Sequence, residues 1–378
     1  MSGVRILGIE TSCDETAAAV VRSGEHVVSN VVSSQIAVHQ PYGGVVPELA
    51  SREHLRAIVP VVRRALEEAG ETYESIDAIA VTQGPGLAGA LLVGISYAKA
   101  LAFAQEKPLI TVNHLEGHIH AVLLEERQKG NSQVEFPVLA LVVSGGHTHL
   151  FLAEQRGKGW AYQNIGRTRD DAAGEAYDKV AKLLALGYPG GPIIDVLARH
   201  GDPHGVPFGP AQIKHGNRGV AREQQTAHDF SFSGIKTAVL RYVQLEGMRA
   251  GIDARQKALA GVSKPKAEDI LALCDKKTLN MVASFQRAVV GDLVGKTLAA
   301  AREHQAQTLF VTGGVAANSE LRETFDRDAA QEGVPVFFPS RKLSTDNAAM
   351  IAAAAYPKYL ARDFASPEFS AEASLALR

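Results

Sequence analysis

The sequence predicts an α/β protein built as two similar lobes facing each other across a central cleft. Three observations lead there. The chain has 378 residues, roughly two and a half domains at about 150 residues each, and we read it as two lobes, each near the size of a single hydrophobic core. A strand, a polar turn and a returning strand open the chain between Val4 and Val21, and the same grammar recurs between Val138 and Leu152. Between and after these hairpins, segments with helix and strand patterning alternate. One such unit at the start of each half points to an internal duplication.

Composition excludes several classes. Hydrophobic residues make up 46% and charged residues 21% of the chain, the balance of an ordinary globular protein. Two distant cysteines, Cys13 and Cys274, cannot form a disulfide framework or a thiolate zinc site. The first residues carry no apolar h-region, and the longest apolar run, Val138–Val143, is far short of a membrane span. No membrane association is therefore expected, and the cytoplasm is the expected compartment. The formal net charge is −2, so a nucleic acid would have to meet a local basic patch or be held with help from partners. Arg167, Arg169, Lys214, Arg218, Arg222 and Lys236 are the candidates for that patch.

The elements follow in order. Val4 to Glu10 is a strand, Thr11 to Thr16 a polar turn, and Ala17 to Val21 the returning strand. Glu48 to Ala69 has helical spacing and stops at Gly70. Ala78 to Thr82 is a strand, broken by Gly84-Pro85-Gly86. Leu87 to Ala104 is a helix rich in small residues, suited to close packing against a partner or within its own lobe. Val138 to Val143 is a buried strand, Ser144-Gly145-Gly146 a tight turn, and His147 to Leu152 the return. Asp170 to Leu186 reads as a helix with Asp170 and Asp171 in its first turn, where the dipole favours acids. His200 to Asp229, rich in Gly, Pro and His, reads as a long loop. Residues 246–277 form a polar, slightly basic insertion. Thr308 to Thr312 is a strand, Gly313-Gly314 a turn, Ala316 to Ala330 a helix and Val334 to Phe338 a strand. Asp346 opens a final Ala-rich helix.

A few residues carry chemistry. His114 and His118 are spaced i, i+4, which on a helix puts both imidazoles within reach of one cation; in isolation the pattern fits two surface histidines equally well. Glu116 sits at the third position of His114-Leu115-Glu116-Gly117-His118, so the H-E-x-x-H arrangement of metalloproteases is absent. A third ligand must come from elsewhere, and Asp346 is a candidate; a plain helix N-cap is its competing role. Ser144-Gly145-Gly146 offers backbone N–H groups unobstructed by Cβ atoms. Gly313-Gly314, between a strand and a helix, offers a helix N-terminus to an anion. Together the two polar hairpins and the late glycine pair resemble the actin, sugar kinase and chaperone ATPase superfamily, whose lobes are ribonuclease-H-like.

The resemblance becomes specific in longer stretches. Gly8-Ile9-Glu10-Thr11-Ser12-Cys13-Asp14-Glu15-Thr16, Tyr42 to Arg52 and Gly84-Pro85-Gly86-Leu87 resemble the bacterial tRNA threonylcarbamoyladenosine transferase family, once described as glycoprotein endopeptidases. So do His114 to His118, Val143 to Thr148, Asp170 to Lys179, Tyr188 to Pro192, Asp229 to Thr237, Gly313 to Asn318 and Thr345-Asp346-Asn347. The match runs in order through nearly the whole chain.

The resemblance implies a first lobe of 1–112, completed by 346–378, and a second lobe of 113–345 that carries the site. It implies that His114, His118 and Asp346 bind one divalent metal ion, with Fe2+ favoured and Zn2+ the other choice. It implies that Val142, Val143, Ser144, Gly145, Gly146, Asp178, Gly191, Asp195 and Asn318 line a pocket for threonylcarbamoyl-adenylate. Aspartates can accept hydrogen bonds from ribose hydroxyls and an asparagine can read a base or ribose edge; taken alone, Asp178 also reads as an exposed helix carboxylate, and Asp195 and Asn318 as turn or cap residues. The implied reaction transfers threonylcarbamoyl from the adenylate to the exocyclic amine of the adenosine following the anticodon in tRNA, releasing AMP. No side chain stands out as the general base. The implied partners are tRNA, an inactive paralogue of the same fold and a small ATPase. The rival readings are an ATP-dependent kinase on the same superfold, a metallopeptidase and a non-catalytic scaffold. Residues 246–277 exceed the usual bacterial pattern.

Overall fold

A computed structural model describes residues 3–131, 134–157, 159–209, 227–262 and 266–378. Two five-stranded sheets share one plan. In the first, β1 (Arg5–Glu10), β2 (Glu15–Arg22) and β3 (His26–Ser34) form an antiparallel meander. Strands β4 (Ala78–Gly84) and β5 (Leu109–Asn113) add in parallel on the other side of β1, giving the order β3-β2-β1-β4-β5. In the second, β6 (Val138–Val143), β7 (Thr148–Arg156) and β8 (Gly159–Arg167) form the meander. Strands β9 (Thr308–Thr312) and β10 (Val336–Phe337) add in parallel, so that the order β8-β7-β6-β9-β10 repeats the first sheet strand for strand. The duplication expected from the two hairpins is present, and each hairpin has an additional third strand.

The helices of the first half are α1 (Ile36–His39), α2 (Pro47–Ala69), α3 (Ala88–Ala104) and α4 (His114–Gln128). Alternation along β1 and β2 explains how they are used. Leu7, Ile9, Ala18 and Val20 face Ile58, Val62, Leu91 and Ile95 of α2 and α3. Ile6, Ala17, Ala19 and Val21 face the opposite way, toward the Ala-rich α13 (Ala348–Ala361). The small residues of α3 pack within this half: Ala90, Gly94, Ala98 and Ala102 point inward, and a Cβ on Gly94 would collide with Thr11. A Cβ on Gly8 would likewise collide with the backbone of α13, so alanine in α13 opposite glycine in β1 lets helix and strand approach closely.

Helix α4 is buried on both sides. Ala121 and Leu124 belong to the core beneath α13; Leu115, Ile119, Val122 and Leu123 pack against Val138, Ala140, Val142 and Phe310 of the second sheet. The histidines of α4 are thereby fixed between the two sheets.

The second half adds α5 (Ala173–Leu183), α6 (Gly190–Ala198), α7 (Ser233–Leu245), α8 (Arg249–Leu259), α9 (Ala267–Leu271), α10 (Lys276–Glu303), α11 (Ser319–Glu332) and α12 (Arg341–Ser344). Several expectations are corrected here. The helix expected from Asp170 starts at Ala173. Asp170 instead accepts the backbone N–H of Phe232 (2.7 Å) and Ser233 (3.2 Å) and the hydroxyls of Ser231 and Ser233. It satisfies the first turn of α7 rather than that of its own helix. Residues 246–277 contain α8 and α9, anchored by Ile252 and Ile270 in the main core and by buried Arg255, which donates to the carbonyl of Leu184 at 2.7 Å. The helix expected from Ala316 begins at Ser319, after a 3-10 turn at Gly314–Ala317, and the strand expected over 334–338 shrinks to Val336–Phe337. Within the loop expected over 200–229, residues 210–226, with Lys214, Arg218 and Arg222, lie outside the described residues.

A candidate metal centre beside an open glycine turn

Asn113 ends β5 and caps α4, its side chain accepting the N–H of Leu115 at 2.9 Å. His114 is therefore the first residue of α4, and His118 lies one turn further on the same face. Asp346 precedes α13. The capping role that competed for it belongs to Asn347, which accepts the N–H of Met350 at 3.1 Å, and this leaves the Asp346 carboxylate free to face α4. Asp346 Oδ1 lies 3.1 Å from His118 Nε2 and 3.6 Å from His114 Nε2. The three ligand atoms fall within 4.8 Å of one another.

The surroundings suit a cation. His114 Nδ1 is 3.1 Å from Glu10 Oε2 and 3.1 Å from Ser12 Oγ. A carboxylate on Nδ1 holds the proton there and leaves Nε2 as a free lone pair aimed at the centre, the arrangement seen around ligating histidines. Glu10 is fully buried and held by the Thr82 hydroxyl at 2.6 Å and by the backbone N–H of Ser12. Burial would push the Asp346 carboxyl up, but the imidazoles of His114 and His118 overcome it and hold that carboxyl well below the usual carboxylate range. Burial would lower His114; the carboxylates of Asp346 and Glu10 overcome it and raise the imidazole to about 9. Three charged-type groups thus crowd a buried point where a divalent cation would replace the proton. Two imidazoles and one carboxylate with open positions form a donor set used by ferrous iron and zinc. Glu116 points elsewhere, to Lys358 of α13 at 3.2 Å.

The glycine turn adjoins this centre. Ser144 N donates to the carbonyl of His147 at 2.8 Å, and the His147 ring stands 5.9 Å from that of His114. His147 is a neighbour of the ligands to which the sequence reading gave no role; burial, then the nearby His114, push it down to about 3, so it stays neutral. The turn is clamped from behind, because Cβ atoms on Gly174 or Gly313 would collide with the backbone of Val143 to Gly145. Cβ atoms on its own Gly145 and Gly146 would meet nothing within 4 Å, so the backbone of this turn borders open space, and the same holds at Gly191 and Gly314. The side chains of Val142 and Val143 are fully buried, and what they can present to a ligand is backbone.

The remaining pocket candidates, Asp178, Asp195 and Asn318, are each held by hydrogen bonds to neighbouring elements. Asp178 Oδ1 accepts the N–H of Gly190 at 2.7 Å, at the start of α6. Burial pushes its carboxyl up to about 6, with the Gly190 N–H opposing and Asp14 adding to the rise. Asp195 accepts the Ser319 hydroxyl at 2.7 Å. Asn318 caps α11 through the N–H of Leu321 and donates to Gln286 at 2.7 Å. The sequence reading also gave no role to Asp14 and Glu15. Burial, followed by the charge of Asp14, pushes Glu15 well above the carboxylate range. The signal for the pair is two adjacent acids in a turn between strands. Of the basic candidates, Arg169 pairs with Asp229 and Lys236 with Asp171, while Arg167 is exposed.

Comparison with known proteins gives a consistent result. A family model described as tRNA N6-adenosine threonylcarbamoyltransferase matches residues 26–353. A protein of that name from Koribacter versatilis (strain Ellin345) is 67% identical over the full length of both chains. Another from Moorella thermoacetica is 48% identical, covering 98% of this chain and 97% of its own. Among solved structures, full-length HypF in its phosphate- and nucleotide-bound form covers 95% of this chain with 47% of its own length, at a TM-score of 0.53 and 12% identity; this is a likeness of fold.

Proposed function

The chain belongs to the tRNA N6-adenosine threonylcarbamoyltransferase family, and from that membership we propose how its own residues carry the reaction. It is a transferase that places a threonylcarbamoyl group on N6 of adenosine in tRNA. The donor is threonylcarbamoyl-adenylate and the acceptor the adenosine following the anticodon. The N6 nitrogen bonds to the carbamoyl carbon, the bond from that carbon to the phosphate oxygen breaks, AMP departs and the amine releases a proton.

The observation that carries this reading is the convergence of His114, His118 and Asp346 beside an open glycine turn. These three residues hold one divalent cation, Fe2+ in preference to Zn2+, which when bound supplies Lewis-acid polarisation of donor oxygens. Glu10 and Ser12 orient His114. The backbone N–H groups of Gly145 and Gly146 face the negative charge that develops on the carbamoyl and phosphate oxygens, while the Ser144 N–H closes the turn on the His147 carbonyl. Gly191, Asp178, Asp195 and Asn318, with the backbone of Val142 and Val143, wall the nucleoside end. Asp178 accepts from the ribose, and the Asp195–Ser319 and Asn318–Gln286 bonds keep that wall rigid.

The metallopeptidase reading lacks its base, since Glu116 is turned to Lys358. The kinase reading has no use for a two-histidine, one-aspartate centre. For the partners, α2 and α3 carry exposed Leu55, Val59 and Leu92, an apolar face suited to an inactive paralogue of similar fold, with a small ATPase joining the assembly. Exposed Arg167 is the described residue suited to a tRNA phosphate. Among the described residues no helix is long and apolar enough to cross a membrane; the setting we propose is the cytoplasm.

The test is nucleoside mass spectrometry of tRNA after incubation with the chain, threonine, bicarbonate, ATP and the companion enzymes. Threonylcarbamoyladenosine should form only when the chain is present. Phosphorylation of a small acceptor, or cleavage of a glycoprotein, with unmodified tRNA would favour the rivals.

A further inference from the structure

A second cluster of ligand-type side chains shares no residue with the centre described above. His228, Glu303 and His304 each offer one ligand atom, and no two of these atoms are more than 4.8 Å apart. His228 Nε2 stands 2.9 Å from Glu303 Oε2, and the rings of His228 and His304 meet edge to face with centroids 6.1 Å apart. From Gln286, which touches the nucleoside wall, α10 rises about 25 Å before it reaches Glu303. We propose that His228, Glu303 and His304 form a second divalent-metal site, of zinc class, that staples the segment leading into α7 to the end of α10.

Donor chemistry comes first. Two imidazole nitrogens and one carboxylate oxygen match zinc, with a fourth position left for water. Glu303 is 62% exposed, so water can reach that position. Ligands at about 2.0–2.2 Å from a tetrahedral ion stand about 3.3–3.6 Å apart, and the exposed Glu303 side chain can turn to make that spacing. Preorganisation comes second. His228 is buried and its backbone is anchored on the C-terminal side. Asp229 pairs with Arg169, Phe230 N donates to the carbonyl of Arg167 at 3.0 Å, and a Cβ on Gly166 would strike the His228 carbonyl. Electrostatics come third, since His304 caps the C-terminus of α10, where the terminal carbonyls favour positive charge. A plain ion pair between His228 and Glu303 would account for the 2.9 Å contact but gives His304 no part, and this makes His304 the discriminating residue.

The experiment is a Zn2+ titration of chelator-stripped full-length protein against a chromophoric chelator, with elemental analysis after gel filtration. His118→Ala silences the first centre. In that background one zinc ion per chain should remain, and its melting temperature should rise with Zn2+. Adding His304→Ala should remove that ion and the thermal response together. Adding Glu303→Gln, a near-isosteric change at an exposed position, should weaken binding at least tenfold and serves if the histidine variant folds poorly. No zinc in the His118→Ala protein, or retention of the ion after both second changes, would overturn the proposal.

Discussion

Glu10 acts through the histidine it touches. It stands 3.1 Å from His114 Nδ1 and is fully buried, so a carboxylate there fixes the ring with Nε2 toward the centre. Outer partners of this kind are worth 10–100-fold in metal affinity. Glu10→Gln should therefore weaken metal binding about 10–100-fold while the far-ultraviolet circular dichroism stays that of the parent. A competition titration reads this directly, and an unchanged affinity would reduce Glu10 to a buried hydrogen-bonding group. At this scale the sequence was informative where spacing is local. The pair His114 and His118 is legible as i, i+4, and Asp346 is legible as an acid before a helix. Glu10 was not, because its partner lies on a strand-to-helix junction that only the sheet order brings alongside. That Asn347 rather than Asp346 caps α13 was not legible either, because the capping bond is a matter of backbone geometry.

Asp178 ties α5 to α6 by accepting the N–H of Gly190, and its protonation gives that junction a pH dependence. The carboxyl is raised to about 6 from its ordinary value of 3.8, so between those values the folded chain binds more protons than the unfolded chain. Its ionisation costs nothing below about pH 3.8, costs progressively more as pH rises, and costs the full amount above about pH 6. At about 1.4 kcal/mol per tenfold change in proton affinity, this is a penalty of about 2–3 kcal/mol at pH 7. Asp178→Asn keeps an acceptor for Gly190 and removes the ionisation. The stability of the variant relative to the parent should rise by about 2–3 kcal/mol between pH 4 and pH 7, as read by urea unfolding; a flat difference would contradict the assignment. Element prediction failed where an acid served a neighbour. Asp170 has the dipole signature of a helix start, yet it caps α7 across space. The polar insertion hid α8 and α9 because only Ile252 and Ile270 are buried from them among apolar residues, too few for a clear periodic stripe.

The whole molecule carries histidines that burial keeps neutral. His120, bonded to Tyr162, is pushed down to about 3, and His149 to about 4, in both cases first by burial. Between these values and 6.5 the unfolded chain binds more protons, so stability falls as pH drops below about 6.5. At pH 5 each contributes about 2 kcal/mol of loss, which together outweighs the opposite gain from Asp178. The chelator-stripped protein should lose melting temperature steadily below pH 6.5, and His120→Gln should make the decline shallower. An identical slope in the variant would place the acid sensitivity elsewhere.

The two-lobe plan was legible because a buried strand, a polar turn and a return recur at 138–152, and the sheets share one strand order. The third strands were missed: β3 and β8 are partly exposed and lack an unbroken apolar run. The basic surface was only partly legible, since charge in a sequence does not reveal that Asp229 and Asp171 engage Arg169 and Lys236.

The central claim is that the centre of His114, His118 and Asp346 serves transfer of threonylcarbamoyl to tRNA. Its most direct test is a single-turnover measurement with preformed threonylcarbamoyl-adenylate, tRNA and the proposed companion paralogue and ATPase, comparing the metal-loaded chain with His118→Ala. The parent should convert tRNA adenosine to threonylcarbamoyladenosine with one AMP released per transfer. The variant should bind no metal at this centre and transfer at least about 100-fold more slowly, since a ligand that organises a reaction centre is worth several kcal/mol of barrier. Transfer at the parental rate by a metal-free His118→Ala protein would contradict the account.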